Sequence, residues 1–197
     1  MRILPVSLIA LALAGCSGVS QVAKTDFVMA PWTLPTTDGG TISSESLKGR
    51  AGALVWLDPT CADVQDASAW EGALRMFESR WMEDSNKVWI VYVASRKTTD
   101  PSYMDGPMWR GWLKEQKLRG QVVLDTNGIL AKQWGVKRVP NASVVDASGN
   151  VRWSGAAEYA DDVFGEPDLS VALDSVVHGK PVPAPKESPV RGCKLAS

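Results

Sequence analysis

Sulfur supplies the reactive chemistry available to this chain. Its 197 residues contain three cysteines, Cys16, Cys61 and Cys193, and one histidine, His178. A thiolate is a nucleophile and forms disulfides, whereas a closed structural zinc site needs about four nitrogen or sulfur ligands close together. Ligands this few and this scattered exclude such a site, and no metal or organic cofactor is expected. Cys61 lies within Asp58-Pro59-Thr60-Cys61-Ala62-Asp63-Val64. The carboxylates of Asp58 and Asp63 would oppose a thiolate there by like-charge repulsion. The plainer alternative for Cys61 is a small buried side chain used for packing. With 21 basic and 22 acidic side chains the net charge is -1, and no basic stripe stands out, so nucleic acid is not an expected partner.

The elements that must position these thiols alternate. With 45% hydrophobic and 22% charged residues, the chain is apolar enough to fold and long enough for one sizeable core. Residues 51–57, 88–94, 121–124 and 142–145 are short apolar runs rich in β-branched and aromatic side chains, the pattern of buried strands. After the first run, Ala67, Trp70, Leu74, Phe77 and Trp81 recur at helical spacing. Opened by Asp58-Pro59-Thr60 and with Asp63 in its first turn, this segment predicts a helix of about five turns. Further helices are expected over 108–118, 129–134 and 169–177, the last ended by Gly179. Asp146-Ala147-Ser148-Gly149 joins strand 142–145 to Val151-Arg152-Trp153 as a hairpin, which places an antiparallel edge on a mixed sheet flanked by helices. Most of the nine tryptophans fit burial better than sugar stacking. Trp56 and Trp89 lie in strands, and Trp70 and Trp81 lie on a helix stripe. Trp109 and Trp112 share a helix placed to cap a site, while Trp32, Trp134 and Trp153 have no assignment.

Residues 1–15 read as a targeting segment. Arg2 supplies the charge and residues 4–14 are nearly all apolar, a run well short of the roughly 20 residues of a membrane span. Leu13-Ala14-Gly15-Cys16 resembles the lipobox of bacterial lipoproteins. The resemblance implies lipidation of Cys16 as the new N-terminus, with a soluble domain held on a membrane surface by its acyl chains. Ser17, in place of aspartate, then implies the outer membrane of a Gram-negative cell, with the domain facing the periplasm. Residues 16–26 form a polar tether. Cys61 and Cys193 remain as an even pair in a compartment where disulfides persist.

The order of strands and helices, with the residues at their joints, resembles the thioredoxin superfamily in its redoxin, TlpA-like and peroxiredoxin-like branches over residues 27–179. Trp32-Thr33-Leu34, Asp38-Gly39-Gly40 and Leu47-Lys48-Gly49-Arg50 are similar to the family's leading hairpin and its approach to the first core strand. The resemblance implies a thioredoxin-like α/β fold with Cys61 as the nucleophile, at a helix N-terminus whose free N–H groups and dipole favour a thiolate. It also implies that Val139-Pro140 is the family's cis-proline element, which presents backbone groups to a bound partner chain. Val139 and Pro140 are therefore expected substrate contacts.

Several positions depart from the family pattern. Val64 stands where a Cys-x-x-Cys motif has its second thiol, so a dithiol cycle within that motif is excluded. Leu54 and Asp58 replace the proline and threonine of a peroxiredoxin site. Gln65 replaces the second cysteine of the copper-delivering relatives, and His178 reads as a helix C-terminal residue favoured by the dipole. The tail offers another thiol. Pro181, Pro183, Pro185 and Pro189 make an extended spacer, and residues 180–192 at roughly 3.1 Å each span about 40 Å, so Cys193 can return to Cys61. Some redoxin-like proteins end in a similar Gly-Cys element. A structural disulfide, a bridge between chains and two free thiols remain as alternatives for this pair.

The expectation is a lipid-anchored extracytoplasmic thiol–disulfide oxidoreductase, with Cys61 attacking, Cys193 resolving, and a protein thiol or disulfide as partner. The alternatives are a redox-silent thioredoxin-fold binding module and a peroxiredoxin-like peroxidase. Oligomeric state and the direction of electron flow are not readable from sequence.

Overall fold

Six strands form the central sheet, and their residue pattern explains why it is buried on both faces. The computed structural model describes residues 27–65, 68–83, 88–156, 168–183 and 192–195. The chain opens with β1 (Phe27–Val28), the hairpin of β2 (Thr33–Pro35) and β3 (Thr41–Ser43), and the single turn α1 (Ser44–Leu47). The first core strand β4 (Ala51–Trp56) leads into α2 (Ala62–Gln65) and α3 (Ser68–Met82), followed by β5 (Val88–Ala94) and α4 (Gly106–Gln116). Next come β6 (Gln121–Leu124), α5 (Ile129–Gln133), the short β7 (Arg138–Val139), β8 (Asn141–Val145) and β9 (Asn150–Ala156). α6 (Asp168–Val177) and β10 (Cys193–Lys194) complete the order.

The sheet runs β1-β9-β8-β4-β5-β6. β4, β5 and β6 are mutually parallel, and β8, β9 and β1 add antiparallel neighbours on the other side of β4. This is the expected mixed sheet, and β5 and β6 have the expected bounds. Successive side chains of a strand face opposite ways. Ala53, Val55, Ile90 and Tyr92 accordingly join one core with Leu74 and Phe77 of α3, Trp109 of α4 and Leu173 of α6. Leu54, Trp56, Trp89 and Val91 join the other with Leu130 of α5, Trp134 and the β2–β3 side of the molecule.

Local signals set the ends of the elements. α4 begins two residues before its expected start because the Asp105 carboxylate caps it, accepting from the Met108 N–H at 2.9 Å, with a proline in the first turn. The Asp146 turn forms as expected, its carboxylate accepting from the N–H groups of Ser148 and Asn150 at 2.9 Å each. Gly52 is required by close approach, since a Cβ there would stand 2.1 Å from the Trp89 ring. Trp32, Trp134 and Trp153, unassigned from sequence, are buried. Part of the predicted long helix, including Ala67 and the side chain of Trp70, lies outside the described residues.

One buried carboxylate ties the sheet to the helices. Glu78 is 1% exposed and accepts from the Tyr92 hydroxyl and from the N–H groups of Arg119 and Gly120, each at 2.7 Å. Burial first, and then the Glu78 carboxylate, push the Tyr92 phenol well above its usual range, so it stays a donor.

Candidate functional site: a bridged cysteine under a cis-proline loop

The C-terminal ends of parallel β4 and β5 lie at the same end of the sheet, and the chain leaving β4 there carries Cys61. A tight turn presents it. The Asp58 carbonyl accepts from the Cys61 N–H at 3.0 Å, and the Cys61 carbonyl accepts from the Val64 N–H at 2.9 Å. The Asp58 carboxylate accepts from the Thr60 N–H and hydroxyl at 2.9 and 2.7 Å, which fixes the turn from its side-chain end. Cys61 is 2% exposed.

Cys193 reaches Cys61 and the two form a disulfide, with Cα atoms 5.8 Å apart and a sequence separation of 132. The open pairing question is thereby resolved for this structure as an intrachain bridge. Val139–Pro140 is a cis peptide, as the resemblance implied. The Cys61 sulfur lies 3.9 Å from the Val139 carbonyl oxygen. Four of the residues singled out from sequence, Cys61, Val139, Pro140 and Cys193, are thus brought together. Cys16 and the targeting segment lie outside the described residues, as do residues 184–191 of the proline-rich spacer.

The tail is held by more than the bridge. β10 pairs antiparallel with β7, Cys193 opposite Val139 and Lys194 opposite Arg138. Beyond β10, the Leu195 N–H donates to the Lys137 carbonyl at 3.0 Å, and Arg138 donates from Nη1 to the Gly192 carbonyl at 2.6 Å. Gly192 permits this approach. Its φ is +94°, and a Cβ there would stand 2.3 Å from the Val139 carbonyl oxygen.

Charge at the site is balanced by a residue that sequence reading missed. Arg96, just past the end of β5, forms an ion pair with the buried Asp58 carboxylate and a second one with Asp100 at 2.9 Å. This guanidinium offsets the Asp58 charge that would otherwise oppose a thiolate at Cys61. Asp100 is held below the usual carboxylate range, first by the Ser102 N–H and then by Arg96. The only sequence signal for this cluster is the four-residue spacing of Arg96 and Asp100. The side chain of Asp63 is not among those described.

His178 sits at the end of α6 as expected, its Nδ1 2.9 Å from the Asp174 carbonyl. Among the described residues, no group of three His, Cys, Asp or Glu side chains is placed to hold a metal ion. Likewise, among the described residues no helix is long and apolar enough to cross a membrane.

A central mixed sheet flanked by helices, with a cysteine after the first core strand facing a cis-proline loop, defines the thioredoxin fold. Solved structures agree with this assignment. A hypothetical protein of Sinorhizobium meliloti 1021 superposes with a TM-score of 0.73 at 19% identity, over 87% of this chain and 93% of that one. A secreted Mycobacterium tuberculosis disulfide oxidoreductase gives 0.54 at 18%, over 75% and 95%. An exposed lipoprotein thioredoxin of Streptococcus pneumoniae gives 0.51 at 19%, over 68% and 93%. No family model and no curated protein sequence matches the chain.

Proposed function

We propose that the chain is a thiol–disulfide oxidoreductase in which Cys61 attacks and Cys193 resolves. The observation that carries this reading is the Cys61–Cys193 bridge laid against the cis Val139–Pro140 loop. In the reduced chain the Cys61 thiolate attacks a partner disulfide, forming a mixed disulfide and releasing one partner thiolate. The Cys193 thiolate then attacks the Cys61 sulfur, expelling the second partner thiolate and closing the Cys61–Cys193 bond. Two electrons and two protons pass to the partner, and the reverse sequence oxidises a partner dithiol. Cys193 thereby does what Val64 cannot. Val139 and Pro140 serve as the partner's backbone contact.

The same reading places the domain, residues 27–179 with its 180–197 tail, outside the cytoplasm on an acylated Cys16. The support is the Leu13-Ala14-Gly15-Cys16 motif together with the secreted and exposed character of two structural relatives.

The test is a redox titration of the bridge followed by turnover with a disulfide substrate and a thiol reductant. A potential above about -300 mV with Cys61-dependent turnover is expected of an exchange enzyme. A bridge that resists reduction, with no turnover, would overturn the reading in favour of a binding module with a disulfide staple.

A further inference from the structure

Strand geometry dictates what else lies beside the bridge. Residues i and i+2 of an extended strand share a face. Cys193 faces Cys61, to which it is bonded, so Leu195 projects on that face too, while the intervening Lys194 is exposed. The Leu195 N–H donates to the Lys137 carbonyl, so the pairing runs one residue past β10. The Leu195 side chain is half-buried and packs on the core that contains Val139. It also forms one wall of a shallow, solvent-open hollow, whose other walls include Leu57, Asp58, Arg96, Met104 and Trp109. Three of those walls are apolar. The polar side holds the Asp58–Arg96 pair together with Ser95, Ser102 and Tyr103, and the buried Nε of Arg96 has no acceptor among the described residues.

We propose that this hollow is a side-chain subsite for the partner polypeptide, taking the apolar residue two positions after the partner's reacting cysteine. Leu195 stands in for that residue in the bridged chain. The inference rests on the exchange reading above and adds a substrate class: extended segments of the form Cys-x-apolar, laid antiparallel on Arg138 and Val139. A residue at the middle position points to solvent, as Lys194 does, and is not selected. Partner and tail compete for the same strand edge and the same hollow, so resolution by Cys193 also returns Leu195 to its seat and displaces the reduced partner.

The test uses the chain carrying Cys193→Ser, with Cys61 free, and three peptides, Gly-Cys-Lys-Leu, Gly-Cys-Lys-Ser and Gly-Cys-Leu-Ser. Each peptide is supplied as a mixed disulfide with thionitrobenzoate. The Cys61 thiolate attacks the peptide sulfur, the Cys61–peptide bond forms, and the electron pair leaves on thionitrobenzoate, whose absorbance gives the rate. The expected result is that the first peptide reacts about tenfold faster than the second, in line with burial of one apolar side chain. The third should gain nothing over the second, and Met104→Asp should remove the preference. Rates within twofold for all three peptides would overturn the subsite and leave the exchange reading standing.

A second measurement does not depend on Cys61 reacting with peptides. In the otherwise unaltered chain, Leu195→Ser should lower the equilibrium constant for Cys61–Cys193 bridging against glutathione at least fivefold. An unchanged constant overturns the subsite. A lowered constant with peptides that do not react overturns the exchange reading and keeps the hollow as the seat of the tail.

Discussion

The central sheet and the β7–β10 pair are both β structure, yet they are held in place by different forces. β4 and β5 are buried along their whole length between two apolar layers, so water exclusion holds them whatever the redox state. β7 and β10 are two residues each. A two-residue pairing is far too short to persist alone. It stands because a covalent bond, an Arg138 hydrogen bond, the Leu195 N–H and side chain, and the bare backbone of Gly192 hold it. The sheet is thus a permanent scaffold, and the tail clasp is conditional on oxidation.

The largest expected effect breaks that comparison at the covalent bond. Loop-closure entropy across 132 positions predicts that Cys193→Ser destabilises the oxidised chain by about 5 kcal/mol. Under reducing conditions the same substitution should have almost no effect. Leu54→Ala, in a strand position that is fully buried, should cost about 3 kcal/mol in both conditions. Urea unfolding with and without reductant checks this, and a Cys193→Ser effect that survives reduction would sink the distinction.

A smaller effect sharpens it. Gly192→Ala forces a Cβ toward the Val139 carbonyl at a backbone conformation that L-residues avoid, which should cost the oxidised chain about 1–2 kcal/mol. The reduced chain should unfold at the wild-type midpoint. Equal losses in both states would mean that Gly192 serves the scaffold rather than the clasp.

The smallest effect is electrostatic. Asp100 near the clasp and Asp174 on α6 are both held below the usual carboxylate range, Asp100 first by the Ser102 N–H and Asp174 first by its hydrogen bond from Lys180. Lowered folded values give stability that is complete above the unfolded carboxylate value and is lost as pH falls through the folded one. The melting temperature should therefore be level from neutral pH down to about 5 and decline below about 4. Asp174→Asn should make that decline shallower. A melting temperature that rises on acidification would contradict the assignment.

Whatever depends on periodicity was legible in the sequence. β5 and β6 follow from unbroken apolar runs, the Asp146 turn from its residue types, and α4, α5 and α6 from spacing, with ends displaced by a residue or two, as where the Asp105 cap starts α4. The cis state of Val139–Pro140 is not encoded in any local pattern and came only through family resemblance. Arg96 was invisible because a single charged loop residue has no period, and its partner Asp58 lies 38 positions away. β7 and β10 were missed for a related reason. Two-residue strands carry no alternation to read, and their register is set by a bond between distant cysteines and by the one glycine that fits.

The position of the bridge also determines how the oxidised chain responds to being pulled. The bond closes a covalent ring from residue 61 to residue 193, enclosing β5, β6, β8 and β9 and leaving β1 and β4 outside. Tension applied at the two termini can then strip away only the leading segment through β4. The ring withholds about 450 Å of contour length, at roughly 3.4 Å per residue, until a thiol cuts it. Reduction would turn a short mechanical element into a long one.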